Sequence, residues 1–293
     1  MIKVVSWNIA KRQQPWREIL NMDADVALLQ EAGEPPWDVR DKVELGPREH
    51  WDSHFWNSHW YRQHGWRYIA ERWPKIVRLS DRVKVDWFCQ DGPRGHGSEG
   101  TISVSGAGNI AVARVKPVNS DQSPFIAVSM YASWIMPHPS TYTKFKVGAP
   151  DVSAHRIISD LSTFIGDDDP STHRVLAAGD LNMVYGWRDD NPTSYGARER
   201  TVWDRMGALG MEYLGPKHPN GRRVCPSDSG VPENTENVRT FHTSRSSPQN
   251  AYIQIDHAFA SKGFHENIST RALNCVCQWG SSDHCRLVME VSG

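Results

Sequence analysis

The sequence predicts an α/β fold built as a single domain, and three observations carry that prediction. Short, apolar, β-prone runs recur along the 293 residues. Segments with apolar residues at helical spacing stand between them. No internal repeat or linker divides the series. Several of the runs end abruptly in a polar or acidic residue. In α/β folds that position is the rim of a sheet, where sites are built.

Taken in order, Ile2 to Ser6 reads as the first strand. Pro15 to Met22 reads as a short helix, with Trp16, Ile19 and Leu20 at i, i+3 and i+4. Val26 to Leu29 is the second strand and delivers Gln30 and Glu31 to its end; Glu34-Pro35-Pro36 then breaks the chain. A helix is expected through Glu49 to Gln63. Gly92 to Gly100 reads as a glycine-rich loop, without the strand and helix that a phosphate-binding P-loop needs around it. Thr101 to Ser105 and Asn109 to Val115 read as a hairpin joined by Gly106-Ala107-Gly108. Phe125 to Tyr131 is a strand, and Ala154 to Ile165 is a helix with Ile157, Ile158, Leu161 and Ile165 on one face. Asp167-Asp168-Asp169 reads as a solvated turn. Val175 to Ala178 is a buried strand that ends in Gly179-Asp180-Leu181-Asn182. Tyr185 to Ala197 reads as a polar loop. Thr201 to Leu209 is a helix stopped by Gly210, and Lys217 to Asn237 is polar and rich in Pro and Gly. Val238 to His242, Tyr252 to Phe259, Ala272 to Cys277 and Leu287 to Val291 complete the strands.

The segment Trp37 to Gly100 holds seven of the 13 tryptophans, interleaved with His50, His54, His59, His64 and several arginines. Aromatics alternating with basic residues can stack bases and hold phosphates; tryptophans also simply pack an insertion onto a body. Either way, residues 37–100 are the expected seat of specificity.

Charge narrows the partners. The formal net charge is −1, so the whole-molecule field gives nucleic acid no attraction. A polyanion would need a local basic patch or a metal. Cys89, Cys225, Cys275, Cys277 and Cys285 form no zinc spacing. Cys275, Cys277 and Cys285 lie in or near strand-like runs and read as buried thiols. The chain begins directly with a strand, and no run is long enough to span a membrane. The expectation is a soluble, cytoplasmic protein of a reducing compartment. Oligomeric state is left open.

Asp180 and Asn182 are two residues apart, so on extended chain they face the same side. A carboxylate beside a carboxamide can orient an attacking water and donate to a developing oxyanion. Gly179-Asp180-Leu181-Asn182 also reads as a strand end followed by an Asx turn. The company they keep is Trp7-Asn8, Gln30-Glu31, Gln254-Ile255-Asp256-His257 and Ser281-Ser282-Asp283-His284. Each sits at the end of a short apolar run.

Together and in this order, these five motifs resemble the endonuclease/exonuclease/phosphatase family, the deoxyribonuclease I-like fold, from Lys3 to about Met289. The resemblance implies a two-sheet, four-layer α/β sandwich with helices outside. It implies a Mg²⁺-dependent hydrolase of phosphate esters, with Mn²⁺ as a substitute. On matching positions, Asn8, Glu31 and Asp283 look like the metal-side residues. Asp180 looks like the group that orients water, and Asn182 like its partner toward the phosphate. His284 looks like the phosphate-binding histidine, Asp256 like the carboxylate that orients it, and Tyr131 like a residue facing the phosphate. His242, Arg239 and Arg245, on the approach to Asp256, are candidate substrate contacts. His257 should point away from Asp256 and is left out.

The chemistry is consistent with those roles. Phosphate hydrolysis needs charge neutralisation at the phosphate oxygens, an aimed water and a stabilised leaving oxygen. Mg²⁺ takes oxygen ligands, so Glu31 and the amide oxygen of Asn8 are the natural candidates. There are departures. Abasic-site nucleases of this family usually carry Asp where this chain has Ala10, and inositol-polyphosphate 5-phosphatases carry Trp-Cys-Asp-Arg where it has Ile255-Asp256-His257-Ala258. Both subfamilies are disfavoured. The expected activity is a nuclease acting on DNA or RNA. The alternatives are a phosphatase or phosphodiesterase for a phosphorylated small molecule or lipid headgroup, or a catalytically dead binding protein.

Overall fold

In the computed structural model, the N-terminal strand β1 (Ile2–Asn8) is bonded on one side to the C-terminal strand β13 (Arg286–Val291), antiparallel, and on the other to β2 (Val26–Gln30), parallel. With β12 (Ile268–Leu273) and β3 (Lys75–Arg78) at the edges, the first sheet runs β12-β13-β1-β2-β3. The second sheet runs β10 (Met211–Gly215), β11 (Asp256–Ser261), β9 (Val175–Asp180), β8 (Phe125–Tyr131), β7 (Ile110–Pro117), β4 (Val83–Trp87). β5 (Cys89–Asp91) and β6 (Thr101–Ser103) form a separate parallel pair. Residues 1–51, 74–92, 97–106, 108–118, 121–141, 148–166, 173–187, 195–226 and 231–293 are described.

Alternation of side chains along the strands makes the layers. Val4, Leu28, Ile76 and Met289 point from the first sheet toward the second and meet Ala111, Ala113, Ala127, Leu176, Ala178, Ala258 and Ala260. Large side chains against small ones let two sheets pack without voids. The outer face of the first sheet, with Val5, Trp7, Leu29, Val77 and Val288, is covered by α1 (Gln14–Ile19) and α2 (Trp37–Arg40) through Trp16, Ile19 and Val39. The outer face of the second, with Val112, Val128, Met130, Val175 and Ala177, is covered by α3 (Asp151–Leu161) and α4 (Tyr195–Ala208). Helix, sheet, sheet and helix make the four-layer sandwich.

One rim of this sandwich collects the strand ends that matter. β8 and β9 are parallel, and Tyr131 and Asp180 are register partners at their carboxyl ends. β11 runs antiparallel to β9 and begins at Asp256, which lies opposite Asp180. Across the sheets, the Ser129 hydroxyl donates to the Leu29 carbonyl (3.0 Å) and accepts from the Gln30 amide (2.9 Å). That brings the ends of β2 and β8 together. Gly179 permits the close approach of β9 to β8, because a Cβ there would collide with the Met130 carbonyl.

Several expected elements differ. Thr101–Ser105 and Asn109–Val115 are not a hairpin: β6 pairs with β5, whereas β7 joins β4 and β8. Val238–His242 makes only isolated bridges, Phe241 meeting Ile253 and His284. The stretch expected at Ala272–Cys277 is strand only to Leu273, and its partner β13 leaves that register at Arg286. A 3₁₀ turn at Val276–Gln278 follows and leaves Cys275 and Cys277 exposed; of the three thiols expected to be buried, only Cys285 is. The strand expected at Tyr252 starts at Asp256. The helix expected from Thr201 starts at Tyr195. Of the helix expected over Glu49–Gln63, a 3₁₀ turn at Arg48–His50 is described; residues 52–63 lie outside the described residues, as does Asp167–Asp169. Within residues 37–100, β3 and β4 belong to the two main sheets. Trp37 is exposed and Trp51 buried, and Trp87 donates to the Ile76 carbonyl (2.9 Å).

Candidate active site

Asp180 is the last residue of β9 and is only 1% exposed. After it the chain must turn, and Asn182 adopts a left-handed backbone (φ 53°), which Asn tolerates better than most residues. The Asn182 N–H donates to Asp180 Oδ1 (2.8 Å). This is the Asx turn that the residues allowed, and it coexists with the cluster rather than replacing it. Asn182 Nδ2 donates to the Ala132 carbonyl at 3.1 Å. From the facing sheet, Asn8 Nδ2 donates to Asp180 Oδ2 at 2.9 Å. Asn8 Oδ1 meanwhile accepts from the Ala10 N–H (3.0 Å). Burial pushes the Asp180 carboxyl up to about 7, a rise to which Asp256 adds and which His284 and the bonds from Asn8 and Asn182 oppose.

His284 lies across from Asp180. Its Nδ1 is 2.9 and 3.0 Å from the two oxygens of Asp256, and its Nε2 is 3.9 Å from Asp180 Oδ2. The backbone on either side is pinned: Trp7 Nε1 donates to the His284 carbonyl (2.8 Å), and the His284 N–H reaches Ser282 Oγ (3.3 Å). Ser282 in turn donates to the Asn8 carbonyl (2.7 Å), tying the last motif to the first. The Phe241 ring packs 4.9 Å from the imidazole. Thr240 Oγ1 accepts the N–H groups of Ile255 and Asp256 (3.0 and 3.2 Å) and so sets the start of β11. Burial by itself would lower the histidine's pKa, but Asp256 and Asp180 more than offset it and raise it to about 10. An imidazolium held between two buried carboxyl groups is the outcome at neutral pH.

Glu31 follows β2 with a left-handed backbone (φ 46°), an unfavourable conformation for Glu. Its Oε1 accepts the Tyr131 hydroxyl at 3.1 Å, so the candidates from β2 and β8 are in direct contact. Asp283 stands 4.0 Å from Arg12, whose Nη1 donates to the Ser281 carbonyl. Among the described residues one group of donors converges. Asp180, Asp256 and His284 place ligand-capable atoms within 4.8 Å of one another. A protonated imidazole has no lone pair to offer, so a metal held by this buried trio would have to displace its proton. Glu31, Asp283 and the Asn8 amide oxygen are hard oxygen donors of the type Mg²⁺ and Mn²⁺ take, and they fit the group.

The remaining candidates are placed differently. The Arg239 guanidinium is bonded to the carbonyls of Arg223 and Ala251, both at 3.0 Å, and braces two loops. Arg245 is exposed. His242 is buried with Nδ1 2.9 Å from the Thr243 carbonyl and its ring beside Trp279, while its N–H donates to the Asp283 carbonyl (3.0 Å). Thr240, Ser282 and the Trp7 indole were not singled out by sequence, although Ser282 and Trp7 lie inside the motifs. Their roles are hydrogen bonds to backbone, which leave no pattern in sequence. His257 is buried and points away from the cluster, its Nε2 donating to the Met183 carbonyl at 2.8 Å.

Comparison with known proteins agrees with this architecture. The family model described as "Endonuclease/Exonuclease/phosphatase family" matches residues 5–284. No curated protein matches the chain. Among solved structures, the endonuclease domain of TRAS1, a telomere-specific non-LTR retrotransposon, superposes with a TM-score of 0.58 at 16% identity, over 99% of this chain and 98% of that one. An AP endonuclease from Leishmania major gives 0.57 at 17%, over 100% and 88%. A 3′-5′ exonuclease from Neisseria meningitidis gives 0.54 at 12%, over 100% of both chains. At these identities the likeness shows the fold.

Proposed function

The chain belongs to the endonuclease/exonuclease/phosphatase family, whose members are phosphoester hydrolases and typically depend on a divalent metal, and from that premise we propose that it is a nuclease. It would cleave the phosphodiester bonds of DNA or RNA, with Mg²⁺ as the cation and Mn²⁺ as a substitute. The observation that carries this reading is the buried line Asp256–His284–Asp180, with Nδ1 2.9 Å from one carboxylate and Nε2 3.9 Å from the other.

Each residue has a task in that reading. Asp256 holds the His284 proton on Nδ1 and keeps the ring positive. Nε2–H then faces the space beside Asp180 and donates to a phosphate oxygen. Asp180, raised toward neutrality by its burial, orients the attacking water and takes its proton. Asn8 and the Asn182 N–H fix the direction of that carboxylate. The Asn182 amide and the Tyr131 hydroxyl would face the phosphate. Glu31, with Asp283 and Asn8 Oδ1, would hold the metal, which when bound supplies charge neutralisation at the phosphate oxygens. His242, Arg239 and Arg245 would serve the approach of the substrate strand, Arg239 and His242 by bracing its walls. Residues 37–100 would set specificity. Among the described residues no helix is long and apolar enough to cross a membrane. The five free cysteines support a reducing, cytoplasmic setting. The net charge of −1 favours a second reading, a small phosphate ester as substrate.

The test is a hydrolysis panel of plasmid DNA, single-stranded DNA, RNA and a set of phosphomonoesters, with Mg²⁺, with EDTA and with His284→Ala. Polymer cleavage lost in both controls supports the nuclease. Phosphate release from a small ester with polymers intact moves the assignment to the second reading. Inertness toward the whole panel would overturn both.

A further inference from the structure

Lys75 opens β3, an edge strand, at the position paired with Leu29 of β2. A lysine on an edge strand ordinarily carries its ammonium into water. Lys75 is 2% exposed. Its Nζ donates to the carbonyls of Ala32 (2.5 Å) and Gly33 (3.3 Å) and stands 4.4 Å from the Trp51 ring centroid. The cause lies in β2. The strand ends at Gln30, and Glu31 turns the chain left-handed, so the next carbonyls leave the sheet ladder. Ala32 is fully buried. A buried carbonyl without a strand partner needs a donor from elsewhere, and a long side chain on the neighbouring strand can reach it.

Glu31 is therefore held from both directions. On the site side, the Lys11 N–H donates to the Glu31 carbonyl (2.8 Å), and Tyr131 donates to its carboxylate. Behind it, Lys75 clamps the next two carbonyls. A Glu in the left-handed region persists only where the surroundings impose it. The neighbouring His50 is buried, accepts the Ile76 N–H on Nε2 (3.0 Å), and is held neutral by that burial.

We propose that Lys75 is a positioning residue for the metal-side carboxylate: by clamping the Ala32 and Gly33 carbonyls it fixes the direction in which Glu31 points. The inference rests on the reading of Glu31 as a cation ligand. Charge makes it discriminating. Removing a positive charge near a cation site would by Coulomb's law tighten cation binding. Loss of positioning would weaken it.

The experiment is Mn²⁺ binding to the full chain, followed by calorimetry and electron paramagnetic resonance, with a thermal melt of each variant. Lys75→Met is expected to fold and to bind Mn²⁺ about 10–100-fold more weakly, the range found when groups supporting a metal ligand are removed. Lys75→Arg, which keeps the donors, should recover part of the loss. In a Glu31→Gln background, Lys75→Met should add little. A folded Lys75→Met that binds Mn²⁺ as tightly as the wild type, or more tightly, would overturn the proposal while the effect of Glu31→Gln left the ligand reading standing. Wild-type Mn²⁺ affinity in Glu31→Gln would overturn both. If Lys75→Met does not fold, Lys75→Gln carries the same comparison.

Discussion

Asp256→Asn is the substitution that bears hardest on the proposed chemistry. It keeps the size of the side chain and leaves the backbone bonds from Ile255 and Asp256 to Thr240 in place. It removes the charge from a carboxylate 2% exposed whose two oxygens lie 3.0 and 2.9 Å from His284 Nδ1. In the wild type, burial lowers the histidine's pKa while Asp256 first and Asp180 second raise it, to about 10. A group with a raised folded pKa gives its full stabilisation below the unfolded value of 6.5 and loses it as pH climbs through about 10. At neutral pH the wild-type ring is therefore charged, by about three units or roughly 4 kcal/mol at 1.36 kcal/mol per unit. With Asp256 neutral, the largest charge opposing burial is gone and the ring's hold on its proton weakens. A neutral ring offers the phosphate no charge. Without the charged donor the phosphate is held less tightly in the transition state, and kcat/KM should fall by about 10²–10³, the range for loss of one such donor. The assay is steady-state hydrolysis of a polymer and of a small diester between pH 6 and 9, with a thermal melt to show the fold intact. The ratio of variant to wild-type activity should rise toward the acid end, where the ring can be protonated again, while protonation of Asp180 lowers both. A folded variant within about threefold of the wild type across that range would refute the reasoning.

Other outcomes follow from the same geometry. Burial lowers the pKa of His257 to about 4, so the folded state resists the proton that the unfolded chain accepts below 6.5. The stability that His257 contributes is full above pH 6.5 and falls by roughly 3 kcal/mol as pH drops to 4, read as the difference between the wild type and His257→Gln in urea melts across that range. Gly179→Ala drives a methyl into the Met130 carbonyl and should lower stability by about 1–3 kcal/mol, read as a lower Tm. Trp134 is 49% exposed two residues beyond Ala132, the carbonyl that Asn182 contacts. Trp134→Ala should raise KM for single-stranded polymer in line with about 1–3 kcal/mol of lost base stacking and leave a small diester untouched. Removing divalent metal with EDTA should abolish turnover and leave the melting curve of the metal-free protein unchanged.

Much of the site was legible because its residues sit at strand ends, and strand ends are marked in sequence by an apolar run breaking into a polar residue. Asn8, Glu31, Tyr131, Asp180 and Asp256 stand out in this way, with Asn182 and Asp283 beside such ends, and the resemblance to the family supplies the roles proposed for them. The parts that were missed have other causes. β3 and β10 carry Lys75 and Glu212 inside their runs, and both lie at sheet edges, where alternation is weak. The supposed hairpin at Thr101–Val115 failed because Gly106-Ala107-Gly108 signals a turn but not which strands the turn joins. Cys275 and Cys277 were misread because the 3₁₀ turn after Leu273 takes them out of the strand.

Residue order was enough for the α/β class, because periodicity records which face of each element meets the core; the five motifs in order carried the resemblance to the family, and that resemblance implied the layer order. It was also enough for the types of chemistry at the strand ends. Tertiary structure alone decided the directions. It turned the Asn8 amide toward Asp180, placed Asp256 opposite Asp180 in register, and spent the Arg239 guanidinium on loop carbonyls. It also buried Lys75 behind Glu31. Each of these rests on a hydrogen bond between groups distant in sequence. Such bonds depend on where two sheets bring their rims together, and no local pattern in the chain encodes that distance.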